Sequence, residues 1–273
     1  MTVAVVIPTY NRLECLREAL ISVVSQTFAP EQVIVVDDGS TDGTWEWLQN
    51  QTEFPVQALR QARRGPAAAR NRGVAASSSR YVAFLDSDDY WLPTKLAMQL
   101  DFLSKNSEIR FCQSEEIWIR HGIRVNPMKK HAKPSGEVFA ACLERCLISP
   151  SAVMMEKTFF EELGGFDESF PVCEDYELWL RASLRSPFQT LSAALTVKRG
   201  GHADQLSRAH WGMDRFRVRA LEKLLRSETL NQEQRALAQA VLRNKLGILA
   251  QGFAKRQPEA ANPYLEKLGE VAR

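Results

Sequence analysis

The sequence predicts an α/β fold with a mainly parallel central sheet flanked by helices, and three observations predict it. Short β-branched runs alternate with amphipathic helical patterns through roughly the first hundred residues, as a parallel sheet with crossover helices requires. Three of those runs break at their carboxyl ends into polar or acidic residues, at Pro8-Thr9-Tyr10-Asn11, Asp37-Asp38-Gly39-Ser40 and Asp86-Ser87-Asp88-Asp89. Open α/β sheets place ligands at those ends. The chain has 273 residues, 45% hydrophobic and 25% charged, enough to bury the core of one large domain with a helical appendage.

Taken in order, Val3–Ile7 is the first buried strand, closed by Pro8. Leu13, Leu16, Leu20 and Val23 recur with helical spacing. Val33–Val36 is the second strand, and Thr41-Asp42-Gly43 supplies turn and cap chemistry for a helix carrying Trp45 and Leu48. A third strand over Val56–Leu59 leads through Arg63-Arg64-Gly65-Pro66 into the helix Ala67–Ala76, and Tyr81–Leu85 is the fourth strand. Residues 94–105 read as helix, 108–125 as two strand-like runs around His121-Gly122, and Asn126–Gly136 as a surface loop. From 138 to 200 the pattern is helix, strand, helix, strand; beyond about 205 it is amphipathic helix only.

The formal net charge of +2 gives no reason to expect nucleic acid as a partner. Five scattered cysteines without a C-x-x-C pair fit reduced thiols in a cytosolic protein, and Cys142 and Cys146 can share a helix face, with packing favoured over redox chemistry. The apolar N-terminal run is too short for a signal peptide, and no stretch approaches a transmembrane span. The expected location is therefore cytoplasmic, or at the inner face of the membrane through peripheral contact.

Asp86 and Asp88, two apart after a strand, can face one site. Carboxylates so placed repel unless a cation sits between them, and oxygen donors suit Mg2+ or Mn2+. An acidic surface turn is the plain alternative. Asp38 can accept from a base N–H or a ribose hydroxyl, against a bland reading of helix capping that Ser40 already serves. Tyr10 offers an aromatic face to a base, with Thr9 and Asn11 as polar neighbours. Arg70 can pair with the base-binding carboxylate or with phosphate, whereas Arg72 reads better as solvated. Asp175 begins a helical pattern (Tyr176, Leu178, Trp179, Leu180), where the helix dipole favours the ionised form that a general base needs. Glu174 is its rival, and a helix N-cap is the structural alternative. Trp179, four residues on, lines a sugar pocket or packs in the core. Asp167 orients backbone.

The ordered segments V-V-I-P-T-Y-N, V-V-D-D-G-S-T-D-G-T, A-A-A-R-N-R-G, F-L-D-S-D-D and G-G-F-D-E…E-D-Y-E-L-W-L-R resemble glycosyltransferase family 2 over residues 1 to about 205. The resemblance implies an A-type glycosyltransferase fold and a metal-dependent, inverting transfer of a sugar from a nucleotide diphosphate donor, UDP-sugar above all, to an acceptor hydroxyl on a glycan, a lipid-linked sugar or another molecule. It implies donor contacts from Pro8, Thr9, Tyr10, Asn11, Asp38, Arg70, Asp86, Ser87 and Asp88. Mn2+ or Mg2+ would be held through Asp88 and His202, and Asp175 would be the catalytic base. The processive members carry Q-x-x-R-W and transmembrane helices; this chain has neither, so one sugar per encounter is expected, in cell-surface polysaccharide or glycoconjugate synthesis.

The expected division is a catalytic domain over 1–205, with a nucleotide-sugar half to 107 and an acceptor half over 108–205, followed by a helical extension over 206–273. Arg208, Arg215, Arg217, Arg219, Lys223 and Arg226 form either a basic face toward anionic lipid or a merely solvated one, the latter favoured. Two rival functions are a sugar nucleotidyltransferase, disfavoured by the lack of a glycine-rich loop after the first strand, and a non-catalytic nucleotide-sugar-binding subunit, disfavoured by the intact Glu174-Asp175 pair. The oligomeric state is not legible.

Overall fold

The computed structural model describes residues 1–126, 128, 131–201, 210, 212–227, 229–256 and 262–272. The first half is built from strand β1 (Val3–Thr9), helix α1 (Leu13–Val24), β2 (Gln32–Asp37), α2 (Thr44–Asn50), β3 (Gln57–Arg60), α3 (Pro66–Ala75), β4 (Tyr81–Phe84), β5 (Tyr90–Trp91) and α4 (Lys95–Lys105). Then follow β6 (Phe111–Arg120), β7 (Ile123–Val125), α5 (Phe139–Glu144), β8 (Val153–Glu156), α6 (Lys157–Glu162), α7 (Glu174–Ser183) and β9 (Phe188–Gly200). Three further helices are α8 (Asp214–Arg226), α9 (Gln232–Arg256) and α10 (Asn262–Ala272).

The strands form one sheet in the order β3-β2-β1-β4-β8-β6-β9-β5, with β7 hairpinned onto β6. The parallel expectation holds for β3, β2, β1 and β4 and again for β6 beside β9. It fails at β4–β8, β8–β6 and β9–β5, which are antiparallel, so the strands after β4 turn the sheet mixed.

Alternation along β1 divides the core between two faces. Val3, Val5 and Ile7 meet Leu16, Leu20 and Val23 of α1 and Leu96 and Leu103 of α4. Val6 points the other way, into the cluster with Ala67 and Val74 of α3 and Phe84, Phe111 and Trp179. Helix α3 lies so close to β1 that a Cβ on Gly73 would stand 2.3 Å from Val6 Cγ1. That close approach fixes the helix that carries Arg70.

Several expectations shift. The loop expected over Asn126–Gly136 is docked at its far end, where Lys133 pairs with buried Glu116 at 3.1 Å and Gly136 bridges to Phe188. Helix α5 ends at Glu144, so Cys142 and Cys146 do not share a helix face. Ser40 does not cap α2: Gly43, at φ 88°, takes that position, and Ser40 Oγ instead accepts the Asn11 amide at 2.9 Å. Cations of the basic C-terminal face are engaged across elements: Lys223 binds Asp167 and Glu177, at 2.7 and 2.8 Å, and Arg219 donates to Ser169. Asp167 thus anchors α8 as well as the Ser169 amide. Arg208 and His202 lie outside the described residues.

Candidate active site

At the carboxyl ends of β1, β2 and β4 the chain encloses a cavity of about 510 Å³. Pro8, Thr9, Tyr10, Asn11, Asp38, Arg70, Asp86, Ser87 and Asp88, the residues read from the sequence as donor contacts, all border it. The register explains the convergence. Pro8 and Thr9 of β1 pair with Val36 and Asp37 of β2, and Phe84 pairs with Val6, so the polar ends finish at one level of the sheet.

Each side chain is held. Asn11, at φ 49°, ties the first loop to the second through the Thr41 amide at 2.7 Å, a positioning role more than a free contact. Asp38 accepts from Gln61 Nε2 and from the amides of Arg64 and Gly65, each at 2.8 Å, and so shapes the turn into α3. Arg63 lies over the Tyr10 ring at 4.1 Å. Thr9 Oγ1 is buried at the cavity wall without a hydrogen-bond partner among the described residues. A buried polar atom left unpaired is unfavourable, and a ligand donor or acceptor there would satisfy it.

Arg70 pairs with neither Asp38 nor open solvent. It bridges Asp86 at 2.6 Å and Glu174 at 2.8 Å, and is itself 4% exposed. One cation therefore serves two carboxylates. Burial opposes ionisation of Asp86, but Arg70 and Lys198 overcome it and hold that carboxyl below its ordinary range. At Glu174 burial wins over Arg70 and pushes the carboxyl up to about 7.

Asp86 and Asp88 both border the cavity, but from a turn after β4 rather than as neighbours on an extended strand. Asp88 is bound by Arg12 and its side chain is 17% exposed. Asp89 turns inward, where it accepts from Ser151 Oγ at 2.6 Å and the Arg199 amide at 2.9 Å. Burial pushes Asp89 up to about 7 despite nearby Lys198, and the neighbouring Asp88 and Asp86 charges add to the rise.

A second cavity of about 320 Å³ adjoins the first, and Lys198 and Arg199 border both. Asp175 borders the second; Glu174 borders neither. Asp175 stands in the first turn of α7, just after Cys173 at φ 62°. Its Oδ1 accepts the Tyr176 amide at 2.7 Å, and its Oδ2 accepts the Cys146 thiol at 3.2 Å. Burial and the Asp175 charge raise the Cys146 thiol well above its ordinary pKa, so the sulfur stays a donor. Trp179 does not line this cavity: it is 1% exposed and stacks on Phe111 at 6.3 Å in the core.

Sequence reasoning missed Lys198, Arg199, Arg12 and Arg63. Lys198 donates to Ser149 Oγ at 2.8 Å. Burial works against its charge, yet Asp89, Glu116, Asp86 and Asp175 together raise it above an ordinary lysine. The available signal was Lys198-Arg199 at the end of an apolar strand run, directly before Gly200-Gly201.

Among the described residues no group of three or more His, Cys, Asp or Glu side chains is gathered to hold a metal ion, so a divalent cation here would take few protein ligands. Mg2+ or Mn2+ takes one or two carboxylates and completes its shell with water and phosphate oxygens. Asp88 offers such a carboxylate at the cavity wall, where it is ion-paired with the Arg12 guanidinium.

The model of the family described as "Glycosyl transferase family 2" matches residues 4–162. A Rickettsia bellii protein described as an uncharacterized glycosyltransferase is 34% identical over 198 residues, 72% of this chain and 28% of its own length. The chain spans about a third of the length of the Rickettsia relatives it first matches. An Escherichia coli UDP-Glc:alpha-D-GlcNAc-diphosphoundecaprenol beta-1,3-glucosyltransferase is 29% identical over 217 residues, covering 77% of this chain and 78% of that protein. The crystal structure of Staphylococcus aureus TarS residues 1–349 with UDP-GlcNAc superposes with a TM-score of 0.77 at 21% identity, covering 99% of this chain and 80% of that one. That likeness shows the fold, an A-type glycosyltransferase arrangement with C-terminal helices.

Proposed function

The chain belongs to glycosyl transferase family 2, and from that premise we propose that it moves a sugar from a nucleotide diphosphate donor, UDP-sugar first among candidates, to an acceptor hydroxyl with inversion. The observation that carries the reading is the pair of adjoining cavities. One collects the strand-end residues suited to a nucleotide diphosphate, the other holds Asp175, and Lys198 and Arg199 stand at their junction.

The donor base lies by Tyr10 and Asp38, and the diphosphate lies toward Arg12, Lys198 and Arg199. Asp88 would hold the divalent metal, with His202, which lies outside the described residues, as the second ligand expected from the sequence. When bound, the metal screens the charge growing on the leaving diphosphate. The acceptor enters the second cavity. Asp175 takes the proton of its hydroxyl as the oxygen bonds to the anomeric carbon, and the electron pair of the breaking C–O bond leaves with the diphosphate. Attack from the second cavity and departure into the first lie on opposite sides of that carbon, which inverts it. Glu174, committed to Arg70, is a positioning residue.

The acceptor is a glycan or a lipid-linked sugar, as in the relative that acts on a diphosphoundecaprenol-linked sugar. The transfer takes place in the cytoplasm or at the inner membrane face. Among the described residues no helix is long and apolar enough to cross a membrane.

Calorimetric titration of UDP, GDP and dTDP with and without Mn2+, on the native chain and on Asp88→Ala, tests this. Metal-dependent binding of one nucleotide, weakened at least about tenfold in the variant, is expected for loss of a charged ligand. No binding of any nucleotide overturns the donor site.

A further inference from the structure

The hairpin of β6 and β7 turns on His121 and Gly122, at φ 50° and 76°. A two-residue turn with both centres left-handed matches the twist of the strands it joins. Arg120 pairs with Ile123 across it, and the His121 ring lies against Gly201, where an added Cβ would come within 2.7 Å of Cε1. The tip is therefore held in place. Ile123 is 70% exposed, more than any other large apolar side chain among the described residues, and Met128 is 55% exposed. Arg120, His121 and Arg124 beside them are exposed as well. Neither arginine side chain has an ion pair or hydrogen bond among the described residues.

A lone exposed isoleucine needs no explanation. This one stands in a field of one sign. Between Glu116 and Glu137 the chain carries Arg120, Arg124, Lys129, Lys130 and Lys133, with His121 and His131, and no aspartate or glutamate. Lys133 is engaged by Glu116 at 3.1 Å, and Lys129 and Lys130 lie outside the described residues. An apolar tip among cations has the two-sided character of an interfacial anchor, with apolar side chains at the acyl boundary and cations among anionic headgroups. An acidic protein would answer the charge but not the two protruding apolar side chains, which lack the flat, continuous apolar centre of a protein interface. Strand addition is disfavoured too, because β7 is a three-residue edge flanked by arginine.

We propose that the β6–β7 hairpin is a docking surface for an anionic lipid bilayer: Ile123 and Met128 enter the boundary between headgroups and acyl chains, and Arg120 and Arg124 meet the lipid phosphates. Trp118, Ile119 and Arg120 of the same strand border the second cavity, so a seated hairpin brings the rim of that cavity to the lipid surface. The docking surface goes beyond the catalytic reading and stands without the donor and base assignments.

The test is flotation of the full chain with vesicles, without nucleotide or metal, so that it reads neither the donor site nor the base. Vesicles of phosphatidylcholine alone are compared with vesicles holding about 30% phosphatidylglycerol. Binding to the mixed vesicles is expected to be at least about tenfold tighter than to the neutral ones, and to weaken as salt is raised. Arg124→Gln should weaken it about fivefold, the scale of one cation near an anionic surface. Ile123→Ser should weaken it about tenfold, the scale of one apolar side chain left in water. Arg226→Gln, which removes an exposed cation from the last turn of α8, should stay within about twofold of native. All three side chains are exposed, so the melting temperatures of the variants should match that of the native chain. The proposal is overturned if the native chain binds neither vesicle, if Ile123→Ser binds as tightly as native, or if Arg226→Gln weakens binding as much as Arg124→Gln does. Polyglutamate is the lipid-free probe: should it bind as tightly as the mixed vesicles and lose as much in Arg124→Gln, the face belongs to an acidic protein instead.

Discussion

Asp175 and Asp89 stand near the same half-buried lysine, Lys198, but are placed for different tasks. Asp175 borders the second cavity and is held by a thiol and an amide, both donors, which suits a carboxylate that must accept a proton. Asp175→Asn keeps the shape and removes the basicity. We expect transfer to fall by about 10²–10⁴, the range for loss of a general base, with UDP affinity unchanged in calorimetry; an activity within about threefold of native would give the base role to another group. Asp89 is buried and pushed from 3.8 up to about 7. A folded-state pKa above the unfolded one means the native state binds the extra proton, so this contribution to stability is present below the unfolded value and is lost as pH rises through the folded one. Asp89→Asn mimics the protonated form: it can still accept from the Arg199 amide and can donate to Ser151. Between pH 5 and 7.5, native stability should therefore decline relative to Asp89→Asn, by on the order of 1–3 kcal/mol in urea melts at each pH. Parallel pH profiles would show that Asp89 stays ionised in the fold.

At the scale of elements, the strand ends were readable and the partners of their side chains were not. The boundaries of β1, β2 and β4 follow from hydrophobic runs closed by Pro8, Asp37-Asp38 and Asp86, and those local signals suffice to bring the strand-end residues expected to contact a donor to one cavity. Lys198 and Arg199 escaped because they reach the cavity only through β9, whose register against β6 shifts at Ser114, Glu115 and Glu116. A bulge of this kind re-aims side chains in a way that alternation alone does not forecast. Arg70 was legible as a functional cation, but its partner was not, since Glu174 lies 104 residues away in sequence. Cys146 as a donor to Asp175 was hidden by the expectation that α5 continues through it, whereas the helix stops at Glu144. Helix α3 shows the opposite case, where a mid-helix glycine carries readable meaning. Because a Cβ at Gly73 would meet Val6 Cγ1 at 2.3 Å, Gly73→Ala must push α3 off β1. The overpacking should cost about 1–3 kcal/mol in spite of the better helix propensity of alanine. As Arg70 rides on the same helix, UDP affinity should weaken along with the melting temperature; a stabilised variant would show that the helix yields without strain.

For the whole molecule, the question is whether the C-terminal helices are an appendage, as the sequence suggested, or part of the catalytic body. Leu221 and Leu224 of α8 and Leu242, Leu246 and Leu249 of α9 are buried in one cluster with Tyr176 and Trp179 of α7 and Phe170 before it. Lys245, 5% exposed, donates from α9 to the Glu144 carbonyl at 3.0 Å, and Lys223 reaches from α8 to Glu177 on the helix that carries Asp175. Five buried leucines contribute on the order of 8–15 kcal/mol at about 1.5–3 kcal/mol each. That equals the whole net stability of an ordinary domain, about 5–15 kcal/mol. The helices therefore close the back of α7, which carries Asp175, and this was not legible because their amphipathic pattern is the same whether the apolar stripe meets another helix of the extension or the α/β core. A chain ended after Gly212 should lose cooperative unfolding in calorimetry and bind a hydrophobic dye, with transfer abolished. An independently folded catalytic domain would instead keep a sharp transition and native UDP affinity, and that result would return α8, α9 and α10 to the status of a separate extension.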